Sequence, residues 1–240
     1  MLGLATGITN TSYQWQPTQP RATMKLWLRN NVGVSAARWD DSSGSGNHAV
    51  QSTSGNQASV VDGGLDFEGG SDHFYTLTSG IALASQEGFA TFIVCKIESF
   101  DTQNTIWGTG DGKTEFLEIQ TADRLRLKID GDTDIIDYGT NAFGTGSKMV
   151  ICLQREAGST GTYNVFKNGT ELTGTAVGGS SNLANPGAVT IASLGTRDIE
   201  SIDREFDGVI YEVLVYDTVD LEDNEIAKIN NYLKNKHGIT

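Results

Sequence analysis

Glycine is abundant and proline nearly absent, 29 Gly against 3 Pro in 240 residues, and the glycines recur with Asn, Asp and Ser between short segments rich in β-branched and aromatic residues. A chain punctuated in this way makes many short strands joined by tight turns. The segments that read as strands are Lys25 to Arg29, Leu65 to Glu68, His73 to Thr78, Phe89 to Ile97, Phe116 to Gln120, Arg124 to Ile129, Met149 to Gln154, Tyr163 to Lys167, Val189 to Leu194 and Val209 to Tyr216. Within them, Phe92-Ile93-Val94-Cys95 and Met149-Val150-Ile151-Cys152-Leu153 are apolar at every position rather than alternating, which predicts central strands buried on both faces.

Three dipeptides punctuate as hairpin turns: Asn168-Gly169 after Tyr163 to Lys167, Asp130-Gly131 after Leu125 to Ile129, and Asp111-Gly112 between Ile106-Trp107 and Phe116 to Ile119. Both positions of such a turn tolerate positive φ, and that is what a two-residue hairpin demands. One helix is expected, at the C-terminal end. Leu221, Ile226, Ile229 and Leu233 form its apolar stripe, Gly238 is a natural C-cap, and Asp220 with Asp223 three residues on would cap its start. Residues 1–23, polar and holding Pro17 and Pro20, read as an extended N-terminal arm, and residues 24–240 as a single β-sandwich domain.

Charge narrows the function. Seventeen basic residues against thirty acidic ones give a net charge of −13, with no basic run, so neither nucleic acid nor an anionic membrane is an expected partner. No eighteen-residue apolar stretch is present, and the first twenty residues carry no Lys or Arg, so neither a transmembrane helix nor an export signal is expected. Cys95 and Cys152, each inside an apolar run, read as buried reduced thiols.

Two stretches go beyond general β character. Trp39-Asp40-Asp41-Ser42-Ser43-Gly44-Ser45-Gly46-Asn47-His48-Ala49, preceded by Leu26-Trp27-Leu28, resembles the opening of laminin-G-like domains of the concanavalin A-like lectin and glucanase superfamily. Phe206-Asp207-Gly208-Val209-Ile210-Tyr211-Glu212-Val213-Leu214-Val215-Tyr216-Asp217, followed by the terminal helix, is similar to the last strand and helix of the same domains. The resemblance spans about residues 24–238 and implies an all-β fold, a two-sheet antiparallel jelly-roll sandwich with one short C-terminal helix. The start Met1-Leu2-Gly3-Leu4 and the polar arm also resemble laminin-G-like structural proteins of marine tailed phages.

Because that superfamily includes glycoside hydrolases and lyases, catalytic spacing matters. A retaining hydrolase needs two carboxylates about 5 to 5.5 Å apart on one sheet face. The nearest set is Glu205, Asp207 and Glu212, but Glu212 falls five residues beyond Asp207 and Ile210 stands where the second Glu of the hydrolases' E-x-D-x-x-E motif belongs. His48, His73 and His237 are dispersed and no zinc motif occurs, so no enzyme is expected. Asp130-Gly131-Asp132-Thr133-Asp134 sets carboxylates at alternate positions, a candidate calcium loop, although it lacks the sixth-position Gly and twelfth-position Glu and fits a hairpin better.

A sugar site needs an exposed aromatic ring beside carboxylates or amides. Trp107 with Asp111, and Tyr138 with Asn141, are the candidate ligand-binding residues, with burial of Trp107 the favoured alternative. The expected function is a non-enzymatic virion surface or structural protein, a capsid decoration or fibre subunit. It would oligomerise or join other virion proteins through its arm and contact glycans. A stand-alone carbohydrate-binding module is the alternative, and a degenerate glycosidase a third.

Overall fold

The computed structural model describes residues 15–20, 23–110, 115–129, 132–139, 141–159, 163–179, 187–217 and 221–240, with the side chains of residues 132–134 and 179 left aside. In chain order the strands are β1 (Thr23–Leu28), β2 (Val34–Ser35), β3 (Arg38–Trp39), β4 (Ala49–Val50), β5 (Ser59–Val61), β6 (Gly64–Phe67), β7 (Tyr75–Leu83), β8 (Phe89–Ile97) and β9 (Thr105–Gly108). They continue as β10 (Phe116–Thr121), β11 (Arg124–Ile129), β12 (Asp132–Asp137), β13 (Met149–Arg155), β14 (Tyr163–Lys167), β15 (Thr170–Glu171), β16 (Thr175–Gly179), β17 (Val189–Leu194) and β18 (Gly208–Asp217), and the chain ends in the helix α1 (Asp223–His237). All ten expected strands are present.

Two antiparallel sheets form among these residues. One has the order β15-β14-β13-β8-β18-β6-β5, with β1 also paired to β18; the other runs β16-β12-β11-β10-β9-β17-β7-β4-β3-β2. Between them lies a core that includes Leu26, Trp39, Phe67, Tyr75, Ile93, Trp107, Leu117, Ile151, Ile210 and Val213. β11 shows the expected half-buried alternation, with Leu125, Leu127 and Ile129 inward and Arg124, Arg126 and Lys128 outward.

The continuous apolar runs in β8 and β13 are explained by a third layer. Phe92, Val94, Val150 and Cys152 face away from the other sheet and meet Ile226, Ile229 and Leu233 of α1, together with Trp27, Leu214 and Tyr216. β8 and β13 are therefore buried on both faces, by a sheet on one side and a helix on the other. Cys95 belongs to the inner cluster and Cys152 to the outer one, so the two free thiols lie on opposite faces. Burial pushes the Cys95 thiol up to about 12.

Turn chemistry follows the sequence closely. Asn168 (φ 51°) and Gly169 (φ 82°) make the expected left-handed pair between β14 and β15, and the Asn168 side chain also accepts the Val150 N–H at 2.9 Å. Ile129 pairs with Asp132, leaving a two-residue connection; Asp130 and Gly131 themselves, like Asp111 and Gly112, lie outside the described residues. In the Trp39 loop, Asp41 accepts the N–H groups of Trp27, Ser43 and Asn47 and the Ser43 hydroxyl, so it is spent on holding the loop closed. The helix start differs from the expectation. Its N-cap is Glu222, two residues after Asp220, and Glu225 reaches back to accept the Glu222 N–H at 3.0 Å.

The described part of the arm lies on its own domain. Gln16 and Gln19 close a turn with Pro17 at its second position, and the Pro17 carbonyl accepts the buried Tyr216 hydroxyl at 2.8 Å. Residues 1–14, 21 and 22 are outside the described residues, and the assembly role expected of the arm falls largely on them.

One interior cation is absent from any strand pattern. Arg155, fully buried at the end of β13, donates to the carbonyls of Glu87, Gly187 and Ala84 at 2.7 to 2.8 Å and lies 4.8 Å over the Phe89 ring. Neutral carbonyl dipoles rather than a carboxylate satisfy it, and they tie two connections to the sheet.

Gly208 opens β18 with φ +136°, and a Cβ there would sit 2.1 Å from the Lys96 carbonyl oxygen. Neither φ nor space admits a side chain. Gly208→Ala is expected to destabilise by about 2–4 kcal/mol, read as a lowered urea midpoint with an unchanged m-value.

Candidate functional site

β18 carries a bulge between Ile210 and Glu212, and this irregularity places the site. Ile210 and Val213 face the inter-sheet core while Tyr211 and Leu214 face outward, so the bulge turns Tyr211 and Glu212 to the same outer side. Glu212 is thereby set beneath α1, fully buried. Its Oε1 accepts the Trp27 indole N–H at 2.7 Å, and its Oε2 meets Lys236 Nζ and His237 Nε2, both at 2.7 Å. Burial alone would raise this carboxyl, but the His237 bond, the Lys236 charge and bond and the Trp27 bond outweigh it and hold Glu212 below its ordinary value.

Above this floor lies a groove of about 640 Å³, walled by Trp15 and Gln16 on the arm, Arg29 just after β1, and Lys228, Asn231, Tyr232, Asn235 and Lys236 on α1. The helical residues fall at 228, 231/232 and 235/236, one stripe at helical spacing on the polar side of α1. Tyr232 is the hub. Trp15 packs edge-on to it at 6.3 Å and Trp27 at 6.4 Å, and partial burial raises its phenol. The Arg29 guanidinium lies 4.9 Å over Trp27, and Lys236 sits 6.0 Å over Tyr232. Half-buried rings beside amides are what a sugar face and its hydroxyls require.

Of the two pairs singled out from sequence, Trp107 with Asp111 and Tyr138 with Asn141, the described members lie outside this groove. Trp107 is fully buried in the inter-sheet core, so its ring is closed to a ligand from solvent. Its strand neighbours on both sides, β10 and β17, hold it there. Asp111 lies outside the described residues. Tyr138 is half-buried, edge-on to Phe143 at 5.9 Å, with burial raising its phenol, and Asn141 occupies an exposed left-handed turn position (φ 56°). Tyr138 follows β12, and β10 and β11 separate that strand from β9, which carries Trp107, so the two are more than about 14 Å apart. Asp130, Gly131 and the side chains of Asp132 to Asp134, the candidate calcium loop, are likewise outside the described residues.

The carboxylates weighed for hydrolysis are each engaged elsewhere. Glu205 accepts the N–H groups of Gly70 and Asp72 at 2.7 and 2.6 Å, Asp207 accepts the Ser99 hydroxyl at 2.6 Å, and Glu212 lies under the helix. All three histidines have hydrogen-bonding roles: His48 and His73 accept the N–H groups of Asp41 and Glu68, and His237 meets Glu212. A second buried carboxylate, Glu118 on β10, faces outward from the ten-stranded sheet, with Arg204 at 2.7 Å and Arg126 at 3.4 Å. Burial raises Glu118 and the arginines pull it partly back. Through Arg204 it pins the segment before Phe206 to the sheet.

Sequence reasoning missed the groove because its residues are read separately. A lone Trp in a polar arm and a lone Tyr on the polar side of a terminal helix were the available signals, and nothing in the sequence joins positions 15 and 232.

No family model matches the chain, and no curated protein matches it. Solved structures do. Trypanosoma rangeli sialidase in complex with sialic acid superposes with a TM-score of 0.57 at 16% identity over 89% of this chain and 33% of that one. Botulinum neurotoxin type C, which enters cells through interaction with two ganglioside molecules, gives 0.55 at 15% over 88% and 51%. The botulinum neurotoxin type G receptor-binding domain gives 0.55 at 13% over 88% and 52%. The likeness is one of fold. The chain spans about a third of the sialidase chain and about half of the toxin chains. Among the described residues, no helix is long and apolar enough to cross a membrane.

The Glu212 cluster has a pH signature. A carboxyl held below its ordinary value contributes stability that is present above the unfolded pKa, about 4.3, and is lost as pH falls through the folded value. Glu212→Gln should cost about 1–3 kcal/mol at pH 7, and the gap between wild type and variant should narrow steadily below pH 4. Urea melts of both proteins at pH 7 and pH 3 check this; a gap that widens in acid would contradict the assignment.

Proposed function

We propose that this chain is a non-enzymatic glycan-binding β-sandwich of the concanavalin A-like type and that the groove between the arm and α1 is its sugar site. The observation that carries the reading is the pairing of Trp15 and Tyr232 above a fixed polar floor, with the Asn231 and Asn235 amides one helical turn apart on the rim. Rings supply the apolar platform for a pyranose face, and amides exchange hydrogen bonds with its hydroxyls. A volume of about 640 Å³ lies within the usual range for small-ligand sites. Two proteins of like fold are known with sialic acid and with gangliosides, which supports a carbohydrate ligand for this sandwich. The engagement of Glu205, Asp207 and Glu212 in separate hydrogen-bonded clusters supports binding without turnover.

The setting proposed is the surface of a virion, on the strength of the sequence resemblance of the Met1-Leu2-Gly3-Leu4 start and the polar arm; a free carbohydrate-binding module uses the groove in the same way.

Glycan-array screening of the full chain, followed by titration of the best hit, tests the site. Trp15→Ala and Tyr232→Ala should each weaken binding roughly tenfold, the worth of one aromatic contact, while Trp107→Phe should leave affinity unchanged. Binding that survives both groove substitutions would place the sugar elsewhere.

A further inference from the structure

We infer that the groove selects an acidic sugar, a pyranose bearing a carboxylate, and that Arg29 is the residue that reads the acid; the inference rests on the glycan reading of the same groove.

The argument begins with charge. The chain has 17 basic residues against 30 acidic ones, so an anionic ligand is repelled by most of its surface. Three of those 17, Arg29, Lys228 and Lys236, line this one groove. The carboxylate beneath them, Glu212, is already occupied by Trp27, Lys236 and His237. Against one carboxylate, three cations leave a local excess of two positive charges, in a concave site that focuses the field.

Arg29 and Lys228 form no ion pair with a described residue, whereas most other arginines do: Arg38 with Asp40, Arg124 with Asp137, Arg126 and Arg204 with Glu118, and Arg197 with Asp203. Arg29 is nevertheless fixed in place. Its guanidinium lies on Trp27, and its charge pulls the Tyr232 phenol down against the raising effect of burial. A stacked guanidinium loses little further freedom on binding, and it carries five N–H donors in a planar fork. Such a planar fork matches a carboxylate in two parallel hydrogen bonds, and Tyr232 beside it offers the ring for the sugar that bears the acid. Lys228, exposed on the rim and without an ion pair among the described residues, adds a positive charge without that geometry.

The test is a nuclear magnetic resonance titration of the full chain with methyl glycosides of glucuronic acid and N-acetylneuraminic acid, each beside its counterpart with the carboxyl reduced to the alcohol. Glucose 6-sulfate is a further arm. At least one acid should bind fivefold or more tighter than its reduced form, with shifts at Tyr232 and Asn235, and the difference should vanish in Arg29→Met. Lys228→Met, an exposed change that cannot disturb the core, should reduce the difference without abolishing it. Equal affinity for acid and alcohol overturns this inference and leaves the glycan reading standing. Tighter binding of the sulfate than of either carboxylate overturns the assignment to a carboxylate. A preference that survives Arg29→Met overturns the role of Arg29. Failure of every sugar to shift groove resonances overturns both readings together.

Discussion

Burial of β8, β13 and β18 on both faces is the constraint on which everything else depends. Strands with long runs of apolar residues on both faces cannot lie at the surface of a two-layer sandwich; each needs a cover on either side. The ten-stranded sheet covers one side. On the other, Phe92, Val94, Val150, Cys152 and Leu214 are sealed by one helix whose stripe of Ile226, Ile229 and Leu233 is narrow. α1 is therefore an integral layer of the fold. Its edge, where apolar cover gives out, is where Trp15 and Tyr232 meet solvent beside the buried Trp27 and the groove opens.

The β18 bulge links that packing to chemistry. Without it, Glu212 would alternate into the inter-sheet core, away from α1; with it, Glu212 emerges under the C-terminal half of α1, where Lys236 and His237 lie. Cations in the last helical turn also complement the helix dipole. The same carboxylate that looks from sequence like a displaced catalytic Glu thus staples the helix to the sheet, and in doing so it fixes the floor of the groove.

Much of the fold could be read in the sequence because its causes are local. The Asn168-Gly169 hairpin, the alternation in Arg124 to Ile129 and the apolar runs of β8 and β13 each carry their own signature within a few residues. The helix cap was missed by two positions, since acidic residues crowd its start and only geometry chooses Glu222 among them. Arg155 was invisible, because a buried cation held by three carbonyls leaves no pattern in side-chain type. The site was hardest. Trp107 and Tyr138 were candidates for being aromatic near turns, a property that core residues share, whereas the groove joins Trp15, Arg29 and Tyr232 across more than two hundred positions, and no periodicity reports such a contact.

The four tryptophans fall into two optical populations. Trp39 and Trp107 are sealed between the sheets, with Trp39 bonded to the Arg29 carbonyl. Trp15 and Trp27 instead border the groove, the first half-exposed and the second bonded to a charged carboxylate and overlain by a guanidinium. Intrinsic emission from this protein is therefore a sum of a blue, quencher-resistant component that follows the core and a second component that follows the helix layer. Loosening of α1 would alter the second while leaving the first in place, so the chain carries its own report on which of its layers has moved.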